Sequence, residues 1–159
     1  MKKDILVPFD GSPNAMEALR LAVNLAKLFQ EKLIVLNVQP SFHTADTEIF
    51  FGEATINNYQ QHMFDEVMES AKSILMQTGV EYELKLRVGD AKEQICQEAG
   101  FGADVQEGGQ CQADSVRMIV MGSRGMKAVL GGFLGSVSYG VLHVVKCPVT
   151  IVPTFALNN

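Results

Sequence analysis

The sequence predicts an α/β fold: a three-layer, Rossmann-like sandwich in which five parallel strands carry helices on both faces. Short apolar segments alternate along the chain with segments whose apolar residues recur at helical spacing, which is typical of a parallel sheet. Residues 33–36 and 118–121 contain no polar residue, as expected of strands covered on both faces. The length of 159 residues favours a single domain over residues 1–159.

The first strand is predicted over residues 5–9, where Ile-Leu-Val-Pro-Phe precedes a turn. Ser12 is suited to cap the next helix, and Pro13 suits its first helical position. Apolar residues then recur at helical spacing over residues 14–29, which predicts a helix. The second strand is expected over residues 32–38.

Residues 39–58 show no regular pattern, and we predict an irregular segment there. A long helix follows, with its apolar positions between residues 64 and 75 and an end near Gly79. Residues 82–88 alternate between apolar and polar, so we expect this strand at an edge of the sheet. A short helix is predicted over residues 91–99.

The stretch over residues 100–115 is polar and rich in glycine, which indicates an extended loop. This loop leads into the N-terminal end of the strand at 118–121, whereas ligands of parallel sheets bind at the C-terminal ends of the strands. We therefore do not expect the loop to cover a ligand. A last helix is predicted over 136–145. The final strand, residues 148–152, is expected at the opposite edge from residues 82–88.

Composition and charge exclude several classes of protein. The net charge is −5 with acidic and basic residues mixed, so no basic stripe indicates a nucleic-acid partner. No segment approaches the roughly 18 apolar residues of a membrane span, and the apolar run at the N-terminus is too short for a secretion signal. We therefore expect a cytoplasmic protein that binds neither nucleic acid nor membrane.

The cysteines and histidines indicate neither a disulfide framework nor a metal site. Cys96, Cys111 and Cys147 are odd in number and form no C-x-x-C pair, and the three histidines are scattered. Cys96 and Cys147 are expected in the core. Cys111 lies in the polar loop and is a candidate exposed thiol.

A glycine-rich turn after residues 118–121 carries the chemistry. Five of the 14 glycines fall between positions 122 and 135. Glycine permits positive φ and close approach of the backbone to a ligand, and a helix that starts at Ser136 adds free N–H groups, which together favour an anion. Arg124 and Lys127 add positive charge, while the Ser136 and Ser138 hydroxyls add donors. A polyphosphate is the predicted ligand; the alternative is that the glycines only make tight turns.

The spacing of these glycines resembles a known family. Gly122, two residues, Gly125, nine residues and then Gly135-Ser136 form the G-2x-G-9x-G-[ST] pattern of ATP-binding universal stress proteins. The opening residues 5–12, residues 120–125 and the Cys-Pro-Val at 147–149 also resemble family positions, so the resemblance covers nearly the whole chain. Residues 100–115 form a longer connection than is usual in the family.

The resemblance implies a role for each matched position. Asp10 would lie near the ribose and phosphates and hold Mg²⁺ through water. The alternative is that Asp10 is a turn residue that caps the following helix, and the two roles are compatible. Around the adenine the implied residues are Pro8 and Val38. Around the ribose and phosphates they are Gly122, Arg124, Gly125, Met126, Lys127, Gly135, Ser136, Val137 and Ser138.

Three functions stay open from the sequence. The first is an ATP-binding regulatory protein of the stress response, and the second is a weak ATPase or self-phosphorylating enzyme. Phosphoryl transfer needs a positioned base, and Asp10 is the only evident candidate, so any hydrolysis is expected to be weak and no catalytic residue is assigned. The third is an interaction module that works without nucleotide.

Two further expectations concern surfaces. The apolar residues Val149, Ile151 and Val152 lie on a predicted edge strand, which invites pairing with a second copy. The resemblance also implies a homodimer through this strand. Phe42, His43, Phe50 and Phe51 in the irregular segment are candidates to cover a base or to serve a partner, and a plain surface loop is the alternative.

Overall fold

One five-stranded sheet organises the structure, a computed structural model that describes residues 3–42, 44–101, 116–125 and 134–153. All strand pairs are parallel, and the strand order is β3-β2-β1-β4-β5. The strands are β1 (Asp4–Pro8), β2 (Leu33–Gln39), β3 (Tyr82–Val88), β4 (Val116–Gly122) and β5 (Val149–Val152). The helices are α1 (Pro13–Phe29), α2 (Ala45–Phe51), α3 (Glu53–Leu75), α4 (Ala91–Glu98) and α5 (Ser136–Val144).

Two apolar clusters cover the two faces of this sheet, which confirms the predicted three-layer α/β fold. Successive residues of a strand point to opposite faces. Ile5 and Val7 therefore pack with α1 and α3, whereas Leu6 packs with α4 and α5. The predicted edges are also confirmed, since β3 and β5 lie at the two ends of the strand order.

The second cluster holds the cysteines that were predicted to lie in the core. Cys96 is buried, and Cys147 packs against the same cluster. Burial raises the pKa of both thiols, so both stay protonated near neutral pH and are weak nucleophiles. Cys111 lies outside the described residues.

The prediction of an irregular segment over residues 39–58 is wrong. Helix α2 occupies part of it, and α3 begins at Glu53. Thr44 caps α2, its side chain and that of Thr47 each accepting a backbone N–H of the other residue. No residue of α2 is buried, so the helix leaves no apolar periodicity in the sequence.

An ion-pair cluster joins α4 to the edge strand β3. The side chain of Glu98 is only 7% exposed and accepts hydrogen bonds from Lys85 Nζ at 2.8 Å and Arg87 Nε at 2.7 Å. Burial alone would raise the pKa of the Glu98 carboxyl, but these hydrogen bonds outweigh it and hold the pKa below the ordinary 4.5. The ionised carboxylate therefore stabilises the folded state.

We expect Glu98→Gln to lower the free energy of unfolding by about 1.5 kcal/mol near neutral pH. Hydrogen bonds to charged groups contribute about 1.5–3 kcal/mol, and solvent screening at the two partly exposed cations favours the lower end. Because the folded pKa is depressed, this contribution is present above pH 4.5 and is lost as the pH falls through the folded pKa. Urea unfolding near pH 7 and near pH 3 measures it.

The exposed residue Glu93, also on α4, supplies the control. Glu93→Gln should change stability by less than about 0.5 kcal/mol at either pH. A Glu98→Gln deficit that persists undiminished at low pH would show that packing, and not charge, holds this helix to β3.

Candidate functional site

A cleft of about 1050 Å³ opens beside the carboxyl ends of β1 and β4. The strand order reverses between these two strands, and ligands of open parallel sheets bind at that point. The ends of β1, β2 and β4, the turn after β3 and the starts of α4 and α5 line the cleft. The volume is at the upper end of the range for small-molecule sites.

The turn between β1 and α1 fixes one wall of the cleft. Asp10 Oδ1 accepts the backbone N–H of Ser12 at 2.9 Å, and Ser12 Oγ in turn accepts the N–H of Ala15 to cap α1. On the other side of the turn, Asn37 Nδ2 of β2 donates to the Phe9 carbonyl at 2.9 Å. The Asp10 carboxylate is therefore held at the junction of β1, β2 and the cleft.

Close approach, and not positive φ, explains two of the three motif glycines, Gly122 and Gly125. Gly122, Gly125 and Gly135 are not among the glycines with positive φ, which corrects the conformational reason expected from the sequence. A Cβ on Gly125 would lie 2.6 Å from Asp10 Oδ2, so only glycine lets the loop after β4 meet this carboxylate. A Cβ on Gly122 would lie 2.7 Å from Asn14 Cβ. Gly122 thus serves the contact between β4 and α1.

Helix α5 presents its N-terminus to the cleft without a side-chain cap. Its N-cap residue is Gly135, and the first turn contains no acidic residue. The Gly135 N–H donates to the Ser123 carbonyl at 2.7 Å, whereas the first bond within the helix runs from Tyr139 N–H to the Gly135 carbonyl. The backbone N–H groups of the first turn and the exposed Ser136 therefore suit an anion.

Ser138 has a structural task in this arrangement. Its side chain is buried, and its hydroxyl donates to the Gly122 carbonyl at 3.0 Å. A hydroxyl has one proton, so a donor committed to this carbonyl is not offered to a phosphate. Ser138 ties α5 to the end of β4, and Ser136 is the hydroxyl left at the mouth of the helix.

The cleft also has apolar lining residues. Pro8, Val38, Ile95 and Met121 line it, which gives a surface suited to a flat ring. The turn after β3, residues 89–91, lines it as well, although the sequence argument named no residue there. The sequence could have indicated this turn, because it follows a predicted parallel strand and ends in Asp90, a typical N-cap residue, whose side chain caps α4.

The structure brings ten of the predicted binding residues to this one cleft: Pro8, Asp10, Val38, Gly122, Arg124, Gly125, Gly135, Ser136, Val137 and Ser138. Met126 and Lys127 lie outside the described residues, as do residues 102–115 of the extended loop and His43.

Across the described ranges, no three His, Cys, Asp or Glu side chains are grouped as a metal site. No helix of the described chain has the length and apolar character of a membrane span.

Among the described residues of the segment after β2, those that line the cleft lie at its beginning. Pro40 and Ser41 line it, whereas Phe42, Phe50 and Phe51 do not. The aromatic rings that were candidates to cover a base are exposed instead. In this structure they form no lid.

Comparison with known proteins assigns the family. The model of the universal stress protein family matches residues 1–101 and 110–153, and leaves out part of the extended loop. A universal stress protein of Synechocystis is 29% identical over 159 residues, which cover 96% of this chain and 87% of the relative. The structure of the universal stress protein UspA from Lactobacillus plantarum superposes with a TM-score of 0.74 at 24% identity, covering 94% and 97% of the two chains.

Two solved structures of similar fold contain nucleotides. The universal stress protein from Archaeoglobus fulgidus in complex with dAMP has a TM-score of 0.62 and 24% identity, with 96% of this chain and 98% of that chain covered. The family protein from Arabidopsis thaliana with AMP bound has a TM-score of 0.62 and 19% identity, with 97% and 93% covered. On the match over residues 1–101 and 110–153, the chain belongs to the universal stress protein family.

Proposed function

We propose that this protein binds ATP in the cleft and acts as a regulatory nucleotide-binding protein of the stress response in the cytoplasm. The observation that carries the proposal is that the uncapped N-terminus of α5 and a set of apolar side chains line the same cleft. A nucleotide has an anionic end and a flat aromatic end, and the two kinds of lining match them. The nucleotides bound by the proteins of Archaeoglobus and Arabidopsis support this choice.

The residues of the cleft divide between the parts of the ligand. Pro8 and Val38 would border the adenine. The loop over Gly122, Arg124 and Gly125 would follow the ribose and phosphates. The β- and γ-phosphates would rest on the α5 N-terminus, and Met126, Lys127, Gly135 and Val137 complete the proposed site. Ser138 would support it by tying α5 to the end of β4.

Asp10 is the proposed holder of Mg²⁺ through water. Mg²⁺ sites commonly combine one or two carboxylates with water and substrate phosphates, so a single well-placed aspartate is enough. Asp10 meets the glycine loop at Gly125 and lies on the same cleft as Ser136. The ion would neutralise charge on the phosphates beside this carboxylate.

Two carboxylates line the described part of the cleft. Asp10 accepts the N–H of Ser12 and Asp90 accepts the N–H of Glu93, so each is oriented by its own turn, and Asp10 is already the proposed holder of Mg²⁺. A phosphoryl-transfer enzyme needs a base positioned on the attacking group. A weak ATPase or self-phosphorylating activity is therefore the alternative, with a module that works without nucleotide as the third.

Purified protein provides the direct test of ATP binding. We expect nucleotide released on denaturation to be ATP or its hydrolysis product, in less than equimolar amount, as identified by chromatography and mass spectrometry. Gly125→Ala should lose most of it, because the added Cβ displaces Asp10. Retention of an unrelated small molecule, or of equal nucleotide by the variant, would contradict the proposed site.

We also propose a homodimer through β5. This strand pairs with β4 on one side and ends the sheet on the other. The Pro148 and Val152 carbonyls both accept hydrogen bonds from the β4 side, so by alternation Val149 and Ile151 turn their backbone groups to the open edge. Light scattering at micromolar concentration should show a dimer.

Ile151→Pro should convert this dimer into a folded monomer. Proline removes the outward N–H and is tolerated on an edge strand. Ile151→Ala is the matched control, since it loses the same core side chain but keeps the N–H and should remain a dimer. A monomeric wild-type protein would overturn the proposal.

A further inference from the structure

Helix α2 carries a patch of large apolar side chains on the surface. Ile49 and Phe50 are 78% and 79% exposed, Phe51 is exposed as well, and α2 buries none of its residues. We call these three residues the α2 patch. Scattered exposed apolar residues are ordinary, but these three follow one another around the last turn of a helix that buries nothing, and such a concentration of exposed apolar side chains marks an interaction surface.

The α2 patch is held in place by local structure. The capping pair of Thr44 and Thr47 starts the helix. Beside it, the rings of Phe42 and Tyr59 pack edge to face with centroids 5.9 Å apart, which links the start of the segment to α3. None of the three patch residues lines the nucleotide cleft, so the site described above does not account for them.

The chain segment that carries the α2 patch has a lysine- and arginine-free, acidic sequence. The sequence from residue 33 to residue 71 contains no lysine or arginine. Asp46, Glu48 and Glu53 are exposed on α2 and at the start of α3, next to the patch in sequence. A surface that approaches this segment therefore meets exposed apolar and exposed acidic side chains together.

We propose that the α2 patch docks a segment of a partner protein that is apolar on one face and basic on the other. Complementary charge steers such a segment to the patch and suppresses other occupants. A second copy of this chain would bring like charges together, and an anionic membrane would be repelled. The chain's own residues 154–159 contain no basic residue and offer no complement.

A short amphipathic peptide of leucine and lysine is the probe. Isothermal titration should show binding that weakens as salt is raised, because the charges are exposed. Ile49→Ser combined with Phe50→Ser should weaken binding by about tenfold or more, equivalent to about 1.4 kcal/mol. Asp46→Asn combined with Glu53→Gln should weaken it less and flatten the salt dependence.

Leu28→Ser is the matched control, because Leu28 is 76% exposed but lies on α1. The Leu28→Ser variant should bind the peptide with the wild-type affinity. A second control is a peptide with glutamate in place of lysine, which should not bind the wild-type protein. Circular dichroism checks that the variants fold. Absence of binding at millimolar peptide, or equal binding by the Ile49/Phe50 variant, would overturn the proposal. So would vesicle binding or self-association that this variant abolishes, since the occupant would then be a membrane or a second copy.

Discussion

Saturating Mg-ATP should raise the melting temperature of the nucleotide-free protein by roughly 5–10 °C. A ligand present at 100 times its dissociation constant adds about 2.7 kcal/mol to the free energy of unfolding. For a domain of this length, each kcal/mol corresponds to roughly 2–4 °C. Thermal scans with and without Mg-ATP measure the shift, after retained nucleotide has been removed.

Two variants locate the ligand that causes the shift. Gly125→Ala should remove most of it, because the new Cβ would lie 2.6 Å from Asp10 Oδ2 and must displace that carboxylate. Ser136→Ala should remove about half, because one hydrogen bond to a charged group contributes about 1.5 kcal/mol or more. The exposed Ser73 of α3 is the control, and Ser73→Ala should keep the full shift.

An unchanged melting temperature in nucleotide-free wild-type protein would refute ATP binding. Equal shifts in the wild type and in Gly125→Ala would instead move the nucleotide to another part of the surface. The melting point of each variant without ligand must be measured as well, since a change in the loop can alter the stability of the fold itself.

Gly122→Ala should destabilise the fold by about 3 kcal/mol, the upper part of the range for overpacking. The new Cβ would lie 2.7 Å from Asn14 Cβ and 3.0 Å from the Asn14 carbonyl carbon. The backbone at Asn14 cannot move away from this Cβ unless the start of α1 shifts away from β4. The melting temperature should fall by roughly 6–12 °C without ligand.

Gly140→Ala is the matched control for this effect. Its Cβ would also meet a neighbour at 2.6 Å, but that atom is Cδ of the flexible Lys92 side chain. The side chain can rotate away, and alanine favours a helix interior by about 1 kcal/mol over glycine. Gly140→Ala should therefore melt at or above the wild-type temperature. Equal losses in both variants would show that the contact with α1 is not the cause.

The sequence by itself determined the α/β class, the elements around the sheet and most of the candidate site. Strands buried on both faces are continuously apolar, and helices that face a core repeat every three to four residues, so both leave a readable pattern. The edge position of β3 followed from its alternation. The glycine loop came from its glycines and its place after β4, whereas Pro8, Asp10 and Val38 came from the resemblance to the family.

Helix α2 left no such pattern, because a helix that buries nothing has no apolar period. It is specified by the cap at Thr44, a local hydrogen-bond pair that apolar spacing does not report. The exposed aromatic residues of this segment were visible in the sequence, but whether they cover the cleft depends on where the helix lies. Only the tertiary structure placed them outside it.

The task of each glycine and serine in the motif was likewise decided only by the tertiary structure. Gly122 and Gly125 are alike in sequence, yet one meets the backbone of α1 and the other meets Asp10. Ser136 and Ser138 are two residues apart, yet one is exposed at the mouth of α5 and the other is buried against the Gly122 carbonyl. A motif fixes residue types and spacing, whereas contacts between segments over a hundred residues apart, such as Asn14 and Ser123, depend on how the chain packs.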